Sequence, residues 1–215
     1  IKKGRGTRVK FDRERLHQFC IFMVGTGLRV DEALQLEWED IRCIDREKVV
    51  NRQATETIVS AYGKDFLSQL ERYYLQINVG VSKSRPHTAY GTGSAYFAYQ
   101  NLIKLYTSNP QFNCKVGEGT IFKLHSFREG LNSLLDEADL KFEKLGDSRV
   151  KRDSKSFRHT FIQFMLNKGM SSTAIAKMCG TSTEMIDKYY TSNMALDTMM
   201  DTFNKVKGGH LKIVS

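Results

Sequence analysis

Lys155-Ser156-Phe157-Arg158-His159-Thr160-Phe161, followed by Met178-Cys179-Gly180-Thr181-Ser182 and then by Lys188-Tyr189-Tyr190, is the stretch around which the chain is organised. Phe157, Phe161, Phe164 and Met165 fall at spacings of three and four, which places them on one face of a helix. Leu166-Asn167-Lys168-Gly169 reads as the end of that helix, with a cation and then glycine. Ser171 or Ser172 caps a second helix that turns Ile175, Met178 and Cys179 inward and stops at Gly180. Thr181 or Ser182 opens a third, Thr183 to Tyr190. Three helices joined by two tight turns hold a lysine, an arginine, a hydroxyl after a glycine and a tyrosine pair around one site.

A second motif lies near the other end of the chain. Gly25-Thr26-Gly27-Leu28-Arg29-Val30 is followed by Glu32, Leu36, Trp38 and Ile41. Both segments resemble the tyrosine recombinases, the phage-integrase family. The family's C-terminal box has H/K-x-x-R, often continuing R-H-T-F, then L-G-H or a variant, with a tyrosine about nine residues on. Lys155-x-x-Arg158-His159-Thr160-Phe161 matches the first part, Cys179-Gly180-Thr181 stands in place of L-G-H, and Tyr190 lies nine positions after Thr181. The earlier segment is similar to the family's first-arginine motif, and the two occur in the family's order. The resemblance covers residues from about 10 to 191 and implies a mainly α fold with a small antiparallel β-sheet.

The 215-residue chain is long enough to bury a sizeable core as one domain with a tail. It has no apolar run of membrane-spanning length, and its first residues, Ile-Lys-Lys-Gly-Arg-Gly, do not form a signal peptide. Cys20, Cys43, Cys114 and Cys179 have no spacing for zinc or a disulfide framework, so buried free thiols in a reducing, cytoplasmic setting are expected, to which the family resemblance adds nucleoid association. A net charge of +9 points to a polyanionic partner, of which nucleic acid is the commonest. No P-loop or metal-ligand cluster is present in the sequence, and no cofactor and no metal are expected.

Taken in order, residues 1–10 read as a basic linker, residues 11–191 as the catalytic domain, and residues 192–215 as a tail helix and short strand. Asp12 opens a helix with Leu16, Phe19, Cys20 and Met23 on one face, ending at Gly25-Thr26-Gly27. A second helix is predicted from Leu28 to Glu37, with Leu34 and Leu36 inward, and a hairpin over residues 41–50 turning at Asp45-Arg46-Glu47. Phe66, Leu67, Leu70, Tyr73, Tyr74 and Ile77 suggest an amphipathic helix, and Val79 to Ser82 an extended segment. Further helices are predicted over Ser94 to Tyr106 and Ile121 to Ala138. Residues 139–153 read as a charged connector. His125-x-x-Arg128 is a second H-x-x-R string, but it lacks H-T-F and stands too far from Tyr190, so both residues are read as helix surface.

Transfer of a phosphodiester to a side chain needs an in-line nucleophile, donors to the non-bridging oxygens, a proton for the leaving 5′ oxygen, and exclusion of water. The resemblance implies Tyr190 as nucleophile, with Tyr189 as the alternative, and Arg29 and Arg158 on the phosphate, where a planar guanidinium fork matches two oxygens. It implies a β-turn lysine as general acid, for which Lys83 is the best match and Lys48 and Lys64 the other candidates. Glu32 would orient Arg29, or form a plain helix ion pair. Lys155 stands where histidine is usual and would donate to phosphate. Thr181 replaces His or Trp and offers one hydroxyl, either to phosphate or to a helix cap.

The expected activity is site-specific recombination or integration through a 3′-phosphotyrosyl intermediate, in service of a mobile element. The expected partner is double-stranded DNA with a specific site, bound by a homotetramer on synapsed duplexes and away from membranes. In the family the tail packs on a neighbouring protomer; folding back on its own domain is the alternative. An N-terminal DNA-binding domain preceding this chain is also implied. The competing functions are a type IB topoisomerase-like relaxing enzyme and a DNA-binding relative without catalysis.

Overall fold

The computed structural model describes residues 2–45, 73–80, 86–124, 127–145 and 148–190. Among these are seven α-helices, a three-stranded antiparallel sheet and a two-stranded hairpin. In chain order they are α1 (Lys2–Thr26), α2 (Val30–Gln35), β1 (Ile41–Asp45), β2 (Tyr73–Val79), β3 (His87–Gly91), α3 (Gly93–Thr107), α4 (Phe127–Glu137), β4 (Phe142–Leu145), β5 (Ser148–Lys151), α5 (Lys155–Asn167), α6 (Ser172–Met178) and α7 (Thr183–Tyr190).

The sheet divides the core, because successive strand residues face opposite sides. On one side Leu75, Ile77, Val79 and Ala89 pack with Phe19, Phe22 and Met23 of α1 and with Ala98, Leu102 and Tyr106 of α3. On the other, Tyr74 and Tyr90 join Phe161, Ile162 and Met165 of α5, Ile175 and Met178 of α6, and Ile186 of α7. The order β1-β2-β3 places β2 centrally, with Ile41 opposite Ile77 and Val79 opposite His87. The three helices of the C-terminal box therefore stand on one face of the sheet, and the first-arginine motif reaches them from the end of α1.

Several expectations change. Residues 2–10 are helical and continuous with α1 rather than a linker, tied down by an Arg8–Asp12 ion pair of 3.0 Å and by Arg8 stacked 5.2 Å from the Phe112 ring centre. The second helix is shorter than predicted, since Leu36 is already extended and Leu34 is only half-buried. β1 pairs with the distant β2, the strand expected to follow it locally lies outside the described residues, and Tyr73, Tyr74 and Ile77 lie in β2 rather than in a helix. Their aromatic and β-branched character suits a two-sided strand; the remainder of that predicted helix, and the predicted turn at 46–47, lie outside the described residues. The helix predicted from Ile121 begins only at Phe127, and Phe122 is instead buried against Phe19 and Phe22, at ring separations of 4.8 and 4.9 Å. The charged connector folds in part as the β4–β5 hairpin. Phe164 is exposed, and of the cysteines only Cys114 and Cys179 are buried. Arg128 lies on the surface of α4 as read, whereas His125 and the tail 192–215 lie outside the described residues.

The turn after α1 is the tightest joint. Gly27 has φ +65°, and a Cβ placed there would stand 2.2 Å from Cδ1 of Phe161. Gly27→Ala is expected to destabilise the domain by about 3 kcal/mol, from left-handed backbone strain and overpacking together. Urea unfolding measures it; a loss below about 0.5 kcal/mol, the size of an ordinary surface substitution, would refute this account of the joint.

Candidate active site

α6 and α5 both end in a glycine with positive φ, and in both the closing hydrogen bonds form a Schellman motif. After α6, Thr181 N donates to Ala176 O at 2.9 Å and Gly180 N to Lys177 O at 3.3 Å, with Gly180 at φ +57°. After α5, Met170 N donates to Met165 O at 3.0 Å and Gly169 N to Leu166 O at 2.8 Å. The α6 turn leaves the carbonyls of Cys179 and Gly180 directed at the site, where each accepts from an arginine. Arg158 Nη2 donates to Cys179 O at 2.5 Å and Arg158 Nη1 to Gly27 O at 3.0 Å. Arg29 Nη2 donates to Gly180 O at 3.3 Å. The C-terminal end of a helix carries partial negative charge, so two cations there are well placed.

Arg29 is fixed from its other side by Glu32. One carboxylate oxygen accepts from Arg29 Nη1 at 2.6 Å and the other from the Arg29 backbone N–H at 2.8 Å. The Glu32 side chain is 2 % exposed and that of Arg29 30 %, so the pair is anchored in protein and opens toward solvent. Arg29, Arg158, Thr181, Tyr189 and Tyr190, with His159, line one pocket of about 300 Å³ whose apolar side is formed by Ile162, Met185 and Ile186.

Two of the lining residues meet each other: the Tyr190 hydroxyl lies 2.7 Å from Nδ1 of His159. Burial holds the Tyr190 phenol above the usual tyrosine value, and the nearby Arg158 offsets this only in part. Burial lowers the His159 imidazole below its ordinary value, with Arg158 and Lys155 adding to the shift and Asp153 opposing it. Burial likewise pushes the Cys179 thiol up to about 11, so it stands in the turn as a neutral group despite two neighbouring guanidiniums.

The sequence profile of the phage integrase family matches residues 8–195. The chain belongs to that family. Its fold is similar to those of solved recombinases. The crystal structure of XerA recombinase superposes with a TM-score of 0.54 at 15% identity, over 92% of this chain and 58% of that one. The Tn1549 transposon integrase in complex with transposon right end DNA gives 0.52 at 16%, over 90% and 59%. XerH recombinase bound to its difH substrate, in a pre-cleavage complex, gives 0.52 at 16%, over 88% and 46%. The chain thus spans less than two thirds of the length of each. No curated protein sequence matches it. Among the described residues, no helix of this phage-integrase-family chain is long and apolar enough to cross a membrane.

Of the residues singled out from the sequence, Arg29, Arg158, Thr181 and Tyr190 come together at the pocket, with Glu32 behind Arg29. Ser182 supplies the α7 cap, its Oγ accepting from Met185 N at 3.3 Å, which leaves the Thr181 hydroxyl for the pocket. Lys155 is exposed in the first turn of α5 and does not line the pocket. Tyr189 does line it, but is 52 % exposed. Lys83, Lys48 and Lys64 lie outside the described residues. Sequence reasoning passed over His159 as a functional group, although it lies one helical turn after Lys155 on the same helix and so on the same face. It also missed the acceptor carbonyls, which no side-chain motif encodes.

Breaking the buried half of the Arg29–Glu32 pair is expected to be costly. Glu32→Gln keeps the volume but turns one acceptor into a donor facing a guanidinium, for a loss of about 2 kcal/mol in urea unfolding. A loss under about 0.5 kcal/mol would reduce the pair to an ordinary surface ion pair.

Proposed function

We propose that this chain is the catalytic portion of a site-specific DNA recombinase that cuts and rejoins strands through a 3′-phosphotyrosyl intermediate. The observation that carries the reading is the convergence of two protein-anchored guanidiniums and the Tyr190 hydroxyl on a single pocket. A phosphodiester seated there would meet Arg29 and Arg158 through its non-bridging oxygens, with the Thr181 hydroxyl as a third donor. Tyr190 would attack the phosphorus, forming a tyrosyl–phosphate ester as the bond to the 5′ oxygen breaks. Phenolate is a good leaving group, so the free 5′ hydroxyl can reverse the step and reseal DNA without an energy source.

Lys83 is the proposed donor to the 5′ oxygen. The strands on either side of its segment pair at Val79 and His87, and the His87 ring abuts Gly180: a Cβ on that glycine would lie 2.6 Å from His87 Cε1. His87, where β3 begins, thus lies beside the arginine-binding turn, which supports a lysine between the two strands as the donor. Lys155 would touch the DNA backbone from the outside of the pocket. The DNA complexes of the Tn1549 integrase and XerH, together with the charge of +9, support a duplex substrate. A defined recombination site, a homotetramer on synapsed DNA with exchanged tails, mobilisation of a genetic element, and a preceding DNA-binding domain complete the proposal.

The test is covalent capture. Nicked duplexes tiled across the DNA flanking the protein's own gene are incubated with wild type, Tyr190→Phe and Tyr189→Phe, and adducts are read on denaturing gels. An adduct lost only in Tyr190→Phe is expected; loss only in Tyr189→Phe would move the nucleophile by one residue, and tight binding with no adduct would leave a non-catalytic DNA binder. Relaxation of supercoiled plasmid without strand exchange would favour a topoisomerase. Lys83→Ala is expected to slow cleavage about 10²–10⁴-fold on ordinary DNA. A 5′-bridging phosphorothiolate, whose sulfur leaves without a proton, should restore it. If Lys48→Ala or Lys64→Ala shows that rescue instead, the general acid is reassigned.

A further inference from the structure

Tyrosine transfer leaves one proton unaccounted for, that of the attacking phenol. The tyrosine cannot shed it in advance, since burial holds its pKa above the usual tyrosine value. The positions where the family carries histidine offer no help here. Lys155 has an ammonium with three donors and no acceptor and is not among the residues lining the pocket, and the Thr181 hydroxyl is not a base. His159 is different. Its Nδ1 lies 2.7 Å from the Tyr190 hydroxyl, with the rings tilted by 35° at 5.3 Å between centres. Among the described residues that line this pocket it is the only imidazole.

We propose that His159 is the catalytic proton acceptor for Tyr190 in strand cleavage and the donor that returns the proton on religation. The proposal rests on the recombinase reading and deepens it. In the forward step, Nδ1 accepts the phenolic hydrogen bond with the ring's own proton on Nε2. The tyrosine oxygen then bonds to phosphorus, the bond from phosphorus to the 5′ oxygen breaks, and the phenolic proton passes to Nδ1 to give imidazolium. The 5′ oxygen takes its proton from the general acid, proposed above as Lys83. Religation reverses each transfer, so no oxidant, metal or external base is consumed.

The charges around the ring favour this direction of transfer. On its own segment it faces Asp153, Lys155 and Arg158; from the hairpin side Lys151 and Arg152 share a groove with it, and from α7 Tyr189 and Tyr190 do so. Burial first, then Arg158 and Lys155, keep the free imidazole neutral to a lower pH than an ordinary histidine, against the pull of Asp153. A neutral ring is the form able to accept. Cleavage should therefore rise with pH along an acid limb whose midpoint, at limiting DNA, lies below the ordinary histidine value of 6.5.

The experiment uses the same nicked duplexes with wild type, Tyr190→Phe, His159→Asn and His159→Ala. Adduct formation in a single turnover is followed from about pH 5 to pH 9, alongside DNA binding and thermal midpoints. His159→Asn keeps an acceptor near the Nδ1 position but cannot titrate. It is expected to bind DNA as wild type does, to lose about 10²–10⁴-fold in cleavage rate, and to lose the acid limb. The phosphorothiolate should not rescue it, because the missing proton transfer is at the nucleophile. A wild-type rate and acid limb in His159→Asn, rescue by the phosphorothiolate, or loss of DNA binding would each overturn the assignment. If wild type itself forms no Tyr190-dependent adduct, the recombinase reading fails and takes this one with it; a normal adduct in both proteins sinks only the role of His159.

Discussion

The structure depends on how two guanidinium groups are held before any substrate arrives. Arginine side chains lose much rotamer freedom when fixed, and a phosphate site gains most when that loss is already incurred in the free protein. Here the fixing is done mainly by backbone carbonyls at helix ends, those of Gly27, Cys179 and Gly180, and by one buried carboxylate, Glu32. A carbonyl at a left-handed turn has no side-chain torsions to relax, so it holds a donor more rigidly than a surface acid would. That arrangement needs glycine at Gly27 and Gly180, whose φ values are +65° and +57°. The glycines of the two motifs therefore serve the arginines.

Arg158 also joins the two halves of the core. Its guanidinium spans the turn after α1 and the turn after α6, which belong to opposite sides of the sheet. Phe161, three residues further along α5, fills the space over Gly27 from the same side. The motif residues Arg158 and Phe161 thus act as one clamp, polar at one point and apolar at the other. Tyr74 and Tyr90, from the sheet, join the same apolar cluster as Phe161.

Much of this was legible in the sequence. The three-helix box followed from the spacing of Phe161, Met165, Ile175 and Met178 and from glycine at each turn, because helix periodicity and left-handed caps are local properties. The pairing of β1 with β2 was not legible, since Asp45 meets Tyr73 across a long intervening segment and strand partners are chosen by tertiary packing. Phe164 misled for a related reason: helical spacing places it on the face of Phe157 and Phe161, yet among the described residues it stays exposed, with the Lys168 ammonium 4.5 Å from its ring centre. At the site, charged side chains could be nominated from motifs, but their carbonyl partners could not. His159 lay in plain view inside R-H-T-F, and what singled it out was distance to Tyr190, which no spacing rule supplies.

The two sides of the site are built to different standards of rigidity, and the chemistry accounts for the difference. The arginines are locked by hydrogen bonds to core turns, which in the proposed reaction would let them stabilise charge that develops in the same place in both directions. Tyr190 ends an eight-residue helix, too short to persist alone, in which Ile186 is the one buried residue. Among the described residues, its ring lies half-buried against the second apolar cluster and its hydroxyl is hydrogen-bonded to His159. In the proposed reaction, a nucleophile that forms and then leaves a covalent ester has to change its distance to phosphorus by more than the arginines do. A half-buried ring and a proton-sharing contact with His159 suit that displacement, while the guanidiniums are held by backbone carbonyls and a buried carboxylate.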